Sequence, residues 1–197
     1  MRYAESKTVR KTAKGRIVAA VFAIVGFLVL VHIGFHALTG NFHEVLPGEL
    51  YRSAQPEGAD ISQFAKEHGI RSIINLRDEE PGPWLDAEKG AAEREGIELI
   101  RFPISSSNGL PAREAHRLAE IMHQAPKPLL IHCEHGSNRT GLASAIYVRS
   151  SGKGWLLAEF QVSPYFGHFP IPGVGRFAIY QSWLRFKASQ ADDNRKL

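Results

Sequence analysis

Residues 128–141 read Pro-Leu-Leu-Ile-His-Cys-Glu-His-Gly-Ser-Asn-Arg-Thr-Gly, and the reading of this stretch decides the fold. It opens as a short apolar run suited to a buried strand, passes through a tight loop and enters a helix near Arg139. Such a loop turns successive backbone N–H groups inward while the helix N-terminus adds partial positive charge, and together they make an anion cradle. The thiol of Cys133 sits at its base. Five residues separate it from Arg139, whose guanidinium can grip two oxygens of a tetrahedral anion. The same positive surroundings favour the thiolate, which is the nucleophilic form. Gly136 allows a backbone conformation that a Cβ would oppose, and the Thr140 hydroxyl is placed to hydrogen-bond the thiolate or help it leave.

Working outward, strand and helix signals alternate with short connections. Glu49–Ser53 (ELYRS) reads as a strand before a Gln55-Pro56 turn, and Asp60-x-x-Gln63 has the form of a capping box opening a helix with Ile61, Phe64 and Ala65 inward. Gly69 ends that helix. Arg71–Leu76 (RSIINL) is a β-branched run, Asp78–Trp84 a loop, Leu85–Arg94 a polar helix stopped at Gly96, and Ile97–Ile104 another strand. After the loop Ser105–Leu110, Pro111 takes the first position of a helix that turns Leu118, Ile121 and Met122 inward. Phe177, Tyr180, Trp183 and Leu184, at helical spacing, serve packing. The alternation predicts an α/β domain with a central, largely parallel sheet flanked by helices.

The chain of 197 residues, 44% of them hydrophobic, holds one sizeable core and an appendage. Its net charge of +4 is a property of one end. Met1–Arg16 carries six basic residues and one acidic, leaving 18 basic and 19 acidic among the rest of the chain's 24 and 20. A near-neutral body lacks the electrostatic footprint of a nucleic-acid binder. Ile17–Leu38 follows as 22 residues without Asp, Glu, Lys or Arg, apolar all round and long enough for the roughly 30 Å hydrocarbon core. The stretch is longer than a cleaved signal's apolar region and ends in HALTGNF, so an uncleaved anchor is expected. The positive-inside rule assigns residues 1–16 to the cytoplasm, 17–38 to the membrane and the domain at 41–190 to the far side, the periplasmic side of a bacterial inner membrane, with a polar tail at 191–197. Cys133 is the chain's one cysteine, so no internal disulfide supports the domain.

His-Cys-x5-Arg-Thr-Gly after an apolar strand resembles the signature of the cysteine-dependent protein tyrosine phosphatases. LYRSAQP and INLRDE bring it nearer to the compact dual-specificity group, which it resembles particularly in its atypical bacterial and fungal-plant members, over roughly residues 41–190. The resemblance implies a dual-specificity-phosphatase-like fold that hydrolyses a phosphate monoester through a cysteinyl-phosphate intermediate, without metal or organic cofactor. Cys133 would be the nucleophile, Arg139 the phosphate clamp, Thr140 the hydroxyl aiding turnover and His132 a residue behind the thiolate that tunes it. Backbone amides from Glu134 to Arg139, with Glu134, His135, Gly136, Ser137 and Asn138 forming the loop, would hold the phosphoryl oxygens.

One part of the family pattern is missing. The general acid is usually an Asp in a loop some thirty residues before the cysteine, and that loop here is Ser105-Ser106-Ser107-Asn108-Gly109. The acid comes from elsewhere, or the leaving group needs little help, or the protein binds phosphate esters without turning them over. Asp78, Glu79, Glu80 and His135 are the candidates. A loop without Lys or Arg between Cys133 and Arg139 favours a singly phosphorylated tyrosine, serine or threonine over an inositol polyphosphate, while a membrane tether keeps a phosphorylated lipid in view. A sulfurtransferase, the other fold with a strand-end cysteine loop, is disfavoured by the Arg-Thr-Gly ending.

Overall fold

The computed structural model describes residues 2–173 and 177–193, and the chain falls into two compact units, Met1–Leu38 and Thr39–Leu197. The first is one helix, α1 (Arg2–Leu38). Of the basic segment expected at 1–16, residues 2–16 are helical, and the side chains before Lys14 lie outside the described residues. Lys14–His36 has a mean hydropathy of 2.7 with none of that window buried, so it is long and apolar enough to cross a membrane. Residues 194–197 of the expected polar tail are outside the described residues.

The second unit is built on five strands: β1 (His43–Leu46), β2 (Leu50–Ser53), β3 (Ser72–Asn75), β4 (Glu98–Arg101) and β5 (Leu129–His132). Their order in the sheet is β1-β2-β5-β3-β4, antiparallel only between β1 and β2. Side chains alternate across the sheet as its two-residue period requires. Leu50, Ile74, Leu129 and Ile131 join one core with Leu118, Met122, Ile146 and Trp183, from α4 (Ala112–Gln124), α5 (Asn138–Ser150) and α7 (Phe177–Asp193). Tyr51, Ile73 and Leu130 face the other way and pack with Ile61, Ala91 and Ala92, from α2 (Gly58–His68) and α3 (Pro83–Glu95). A short helix, α6 (Trp155–Phe160), and a 3-10 turn at Pro164–Phe166 follow α5.

The expected strands and helices are present, with four local corrections. Strand β1 was not expected: its four residues include His43 and Glu44, and it lies at the sheet edge, where no apolar run is needed. Helix α2 begins at Gly58, before Asp60, because the Asp60 side chain reaches back to accept the Glu57 N–H at 2.8 Å. Pro111 is the residue before α4 rather than its first residue. Leu184 is exposed, so of the four residues assigned to packing on α7 only Trp183 is fully buried, with Phe177 and Tyr180 half-buried.

Leu118, fully buried on α4, tests the larger core. Leu118→Ala is expected to cost about 2–5 kcal/mol, read from chemical denaturation of the full chain in detergent.

Candidate active site

All four parallel strands deliver their carboxyl ends to one edge of the sheet, where α/β proteins bind ligands. Four segments meet there: Ala54-Gln55 after β2, Arg77–Glu80 after β3, Ser105–Gly109 after β4 and residues 133–137 after β5. The last is shaped from outside. The Glu134 carbonyl accepts from the Gln55 N–H at 3.1 Å, and the His135 carbonyl from Asn41 Nδ2 at 3.1 Å. The Gly136 and Ser137 carbonyls accept from Arg52 Nη2 at 2.7 and 3.5 Å. A trans peptide points its N–H opposite to its C=O, so tying four consecutive carbonyls outward turns the amides of residues 135–138 toward the interior of the loop. Gly136 is required twice over: its φ is +69°, and a Cβ there would lie 2.7 Å from the backbone of Ser53 and Ala54.

Arg52 is the main outer brace and was read from the sequence only as part of a strand. It is fully buried, with Nη1 donating to the backbone and side-chain oxygens of Gln161 at 3.0 and 2.9 Å and its plane 3.8 Å from the Phe166 ring centre. Burial pulls its pKa down to about 9, against the opposing pull of Cys133, so it stays charged at neutral pH.

A second buried assembly lies behind the loop. His132 Nε2 meets Glu88 Oε1 at 2.6 Å, and Glu88 Oε2 accepts from Asn75 Nδ2 at 2.6 Å and Gln55 Nε2 at 3.3 Å. His132 Nδ1 lies 3.3 Å from the Cys133 carbonyl oxygen. His132 therefore fixes the backbone at the cysteine. Glu88 was missed by the reading of Leu85–Arg94 as a polar helix. Its signal was there: with Leu85, Ala91 and Ala92 it forms the buried stripe of α3, a carboxylate where an apolar residue is expected. Burial opposes ionisation of Glu88, but the hydrogen bonds and charge of His132, with Gln55 and Asn75, outweigh it and its pKa is lowered.

Inside the cradle, Cys133 is buried at the floor of a pocket lined by Glu79, Ser106, Glu134, His135, Asn138 and Arg139. Arg139, 4% exposed, donates Nη1 to Asp78 Oδ1 at 2.5 Å and Nη2 to Glu79 Oε1 at 2.8 Å. Its pKa is raised: burial works against the charge, but Glu79, Cys133 and Asp78 prevail. Of the expected site residues, then, Cys133, Arg139, Glu134, His135 and Asn138 come together, joined by Asp78 and Glu79. Glu80 is exposed beyond them. His135 lines the pocket but is largely exposed, its Nδ1 3.4 Å from Glu134 Oε2. The buried Thr140 Oγ1 has no hydrogen-bond partner among the described residues, the Cys133 sulfur included. No cluster of three or more His, Cys, Asp or Glu suited to a metal ion occurs among the described residues.

A buried cysteine, an inward-facing ring of amides and a guanidinium six residues on form a loop shaped for a tetrahedral anion on an α/β scaffold. A family model described as "DSP-PTPase phosphatase fused to NAD+ Kinase" matches residues 38–154, and the chain belongs to this family of compact dual-specificity phosphatase domains. It is 36% identical over 108 residues to "Inositol diphosphatase DSP2" of Oryza sativa subsp. japonica, covering 51% of this chain and 50% of that protein. It is 27% identical over 116 residues to "Dual specificity protein phosphatase TpbA" of Pseudomonas aeruginosa, covering 58% and 49%. The chain thus spans about half the length of these relatives. Among solved structures, the core catalytic domain of the phosphatase SIW14 from S. cerevisiae superposes with a TM-score of 0.56 at 24% identity, covering 80% of this chain and 94% of that one. P. aeruginosa TpbA in complex with pTyr gives 0.55 at 18%, covering 74% and 91%. These two establish the shared fold.

The Glu88 assembly gives a pH-dependent prediction. Because Glu88 ionises more readily folded than unfolded, it stabilises the fold above the unfolded-state value of about 4.3, and this share is lost as pH falls through its lowered folded pKa. Glu88→Ala is expected to cost about 1–3 kcal/mol at pH 7 by stranding buried donors. In denaturation series across pH, the gap between wild type and Glu88→Gln should narrow below about pH 4.

Proposed function

We propose that this chain is a membrane-anchored cysteine phosphatase that hydrolyses singly phosphorylated monoesters, phosphotyrosine foremost with phosphoserine and phosphothreonine, through a cysteinyl-phosphate intermediate. One observation carries this reading: four consecutive carbonyls tied outward around a buried cysteine, which leaves inward amides suited to three phosphoryl oxygens. In this mechanism the Cys133 thiolate attacks phosphorus. Arg139 and the amides of residues 134–139 hold the equatorial oxygens as charge shifts onto them. His132, fixed by Glu88, keeps the cysteine backbone in place. The unpartnered Thr140 hydroxyl is free to turn toward the sulfur when it becomes the leaving group.

Substrate charge follows from the rim. Asp78, Glu79 and Glu134 all stand within 4 Å of Arg139, so a phosphoryl group that enters faces three carboxylates. A ring carrying several further phosphates would be repelled there, whereas a single phosphorylated side chain brings no charge beyond the one Arg139 receives. The relatives named inositol diphosphatases make the comparison worth measuring.

The anchor reading rests on α1, where apolar side chains such as Phe22 and Leu30 are exposed along the whole stretch. Basic residues before it and few after it orient the catalytic unit to the periplasmic side of a bacterial membrane.

With a small aryl phosphate, Cys133→Ser is expected to abolish turnover while retaining ligand binding, and Arg139→Ala to weaken both by at least about a hundredfold. Full activity in Cys133→Ser would overturn the mechanism, and tight binding without turnover in the wild type would make the protein a phosphate-ester binding module. Phosphotyrosyl peptide should be preferred over an inositol diphosphate. For topology, alkaline phosphatase fused after Leu197 should be active and a cytoplasm-dependent reporter dark; the reverse would refute the orientation.

A further inference from the structure

Helix α6 turns its large apolar side chains outward. Its one buried residue is the small Ala158, while Trp155, Leu156, Leu157 and Phe160 are exposed, Leu156 at 88% and Phe160 at 43%. Leu156 and Phe160 stand four residues apart and so lie one above the other on a single outward stripe. The stripe continues past the helix: the Phe160 ring meets that of Tyr165 at 5.2 Å, and the Tyr165 ring meets that of His43 at 5.7 Å. Single exposed apolar residues are ordinary on a soluble surface, but a contiguous run of large ones marks an interaction site. The charges at its margin say of what kind. Arg149 lies 5.6 Å over the Trp155 ring and Lys153 is exposed just before it, while Glu159, the acid of α6, is held by Trp183 Nε1 at 2.9 Å and Lys187 Nζ at 3.1 Å. Exposed Trp, Leu and Phe flanked by Arg and Lys is the composition of a segment that lies in a membrane interface.

The course of the chain commits the occupant. Only Thr39 and Gly40 separate the end of α1 from Asn41, and the three residue steps from Leu38 to Asn41 reach about 11 Å at most. Asn41 is built into the second unit: it is buried, with Nδ2 donating to the Phe166 carbonyl at 3.2 Å and to the His135 carbonyl at 3.1 Å. The chain therefore enters that unit at Phe166, whose ring is 4.8 Å from that of Tyr165 and 5.1 Å from that of Phe160. A surface that begins where the chain enters, so few residues after an apolar span, has the bilayer within reach. Resting on the anchor reading above, we infer that the outward face of α6, continued by Tyr165, docks on the lipid surface that α1 crosses, its apolar side chains entering the acyl boundary while Arg149 and Lys153 meet anionic head groups. Asn41 bonds both to this face, at Phe166, and to the cysteine loop, at His135, so docking keeps the cysteine-loop end of the unit beside the membrane surface.

The test is photolabelling from the lipid. The full chain is reconstituted in vesicles of phosphatidylcholine and phosphatidylglycerol doped with a phospholipid that carries a diazirine near the glycerol end of one acyl chain, and labelled peptides are mapped by mass spectrometry. Adducts are expected on α1 and on residues 155–165. In the double variant Leu156→Glu, Phe160→Glu those at 155–165 should fall by at least about tenfold while those on α1 stay, since two large apolar groups no longer enter the interface. Both positions face outward, so this variant should unfold at the wild-type denaturant concentration in detergent. Adducts on α1 with none at 155–165 in the wild type would overturn the docking and leave the anchor standing; amine crosslinking of Lys153 to a second chain would then make the face a contact between copies. Unchanged labelling of 155–165 in the double variant would overturn the assignment to these side chains. Adducts on neither segment would overturn the anchor reading itself and this inference with it.

Discussion

The architecture of the site depends on one buried charge. Arg52 is held away from water in the centre of the domain, where an unpaired guanidinium would be costly, and it meets that constraint by binding oxygens. Two of those oxygens belong to the cysteine loop and two to Gln161 beyond α6, while Phe166 covers its face. Loop, C-terminal segment and strand β2 are thereby fastened to one planar group. Reversal of the Gly136 or Ser137 peptide would strand an Arg52 donor, so the inward direction of the amides is enforced from behind.

Sheet topology supplies the rest. Strand β5 lies between β2 and β3, so the segment after it is flanked on one side by Ala54 and Gln55 and on the other by Arg77–Glu79. Gln55 touches both assemblies, its amide on the Glu134 carbonyl and its side chain on Glu88 and Arg77. The loop, the His132–Glu88 pair and the carboxylate rim are therefore mechanically one unit, although their residues are spread over about a hundred positions of chain.

That spread explains what sequence reading reached. Strands β3 and β5 are buried on both faces and announce themselves as β-branched or apolar runs, and the cysteine loop is contiguous, so an anion cradle holding Cys133 and Arg139 was legible from spacing, with the catalytic roles added by the family resemblance. Strand β1 escaped because four half-polar residues at an edge carry no periodic signal. Arg52 and Glu88 escaped for a different reason: each is a charge inside an otherwise apolar element, and its partners are distant in sequence, Glu88 with His132 across 44 positions and Arg52 with Gly136 across 84. Local pattern reveals that such a residue is buried. It does not reveal what satisfies it. The pairing of Arg139 with Asp78 and Glu79, 61 and 60 positions away, is hidden in the same way, and from sequence the two carboxylates look like a solvated turn.

Two arginines thus serve one loop, and their partners separate their roles. Arg52 is bonded to backbone carbonyls and a buried amide, none of which can leave without unfolding the loop, so it is unavailable to a ligand. Arg139 is bonded to carboxylates on a turn, Asp78 with 33% and Glu79 with 37% of the side chain exposed. These carboxylates keep water on their outer side, whereas the oxygens on Arg52 are backbone carbonyls and a buried amide. Of the two, Arg139 is the arginine that lines the pocket with Cys133, while Arg52 holds the loop from behind. The shape of the loop and the charge at its mouth are thus set by separate residues, Arg52 from inside the fold and Arg139 with its carboxylates at the rim.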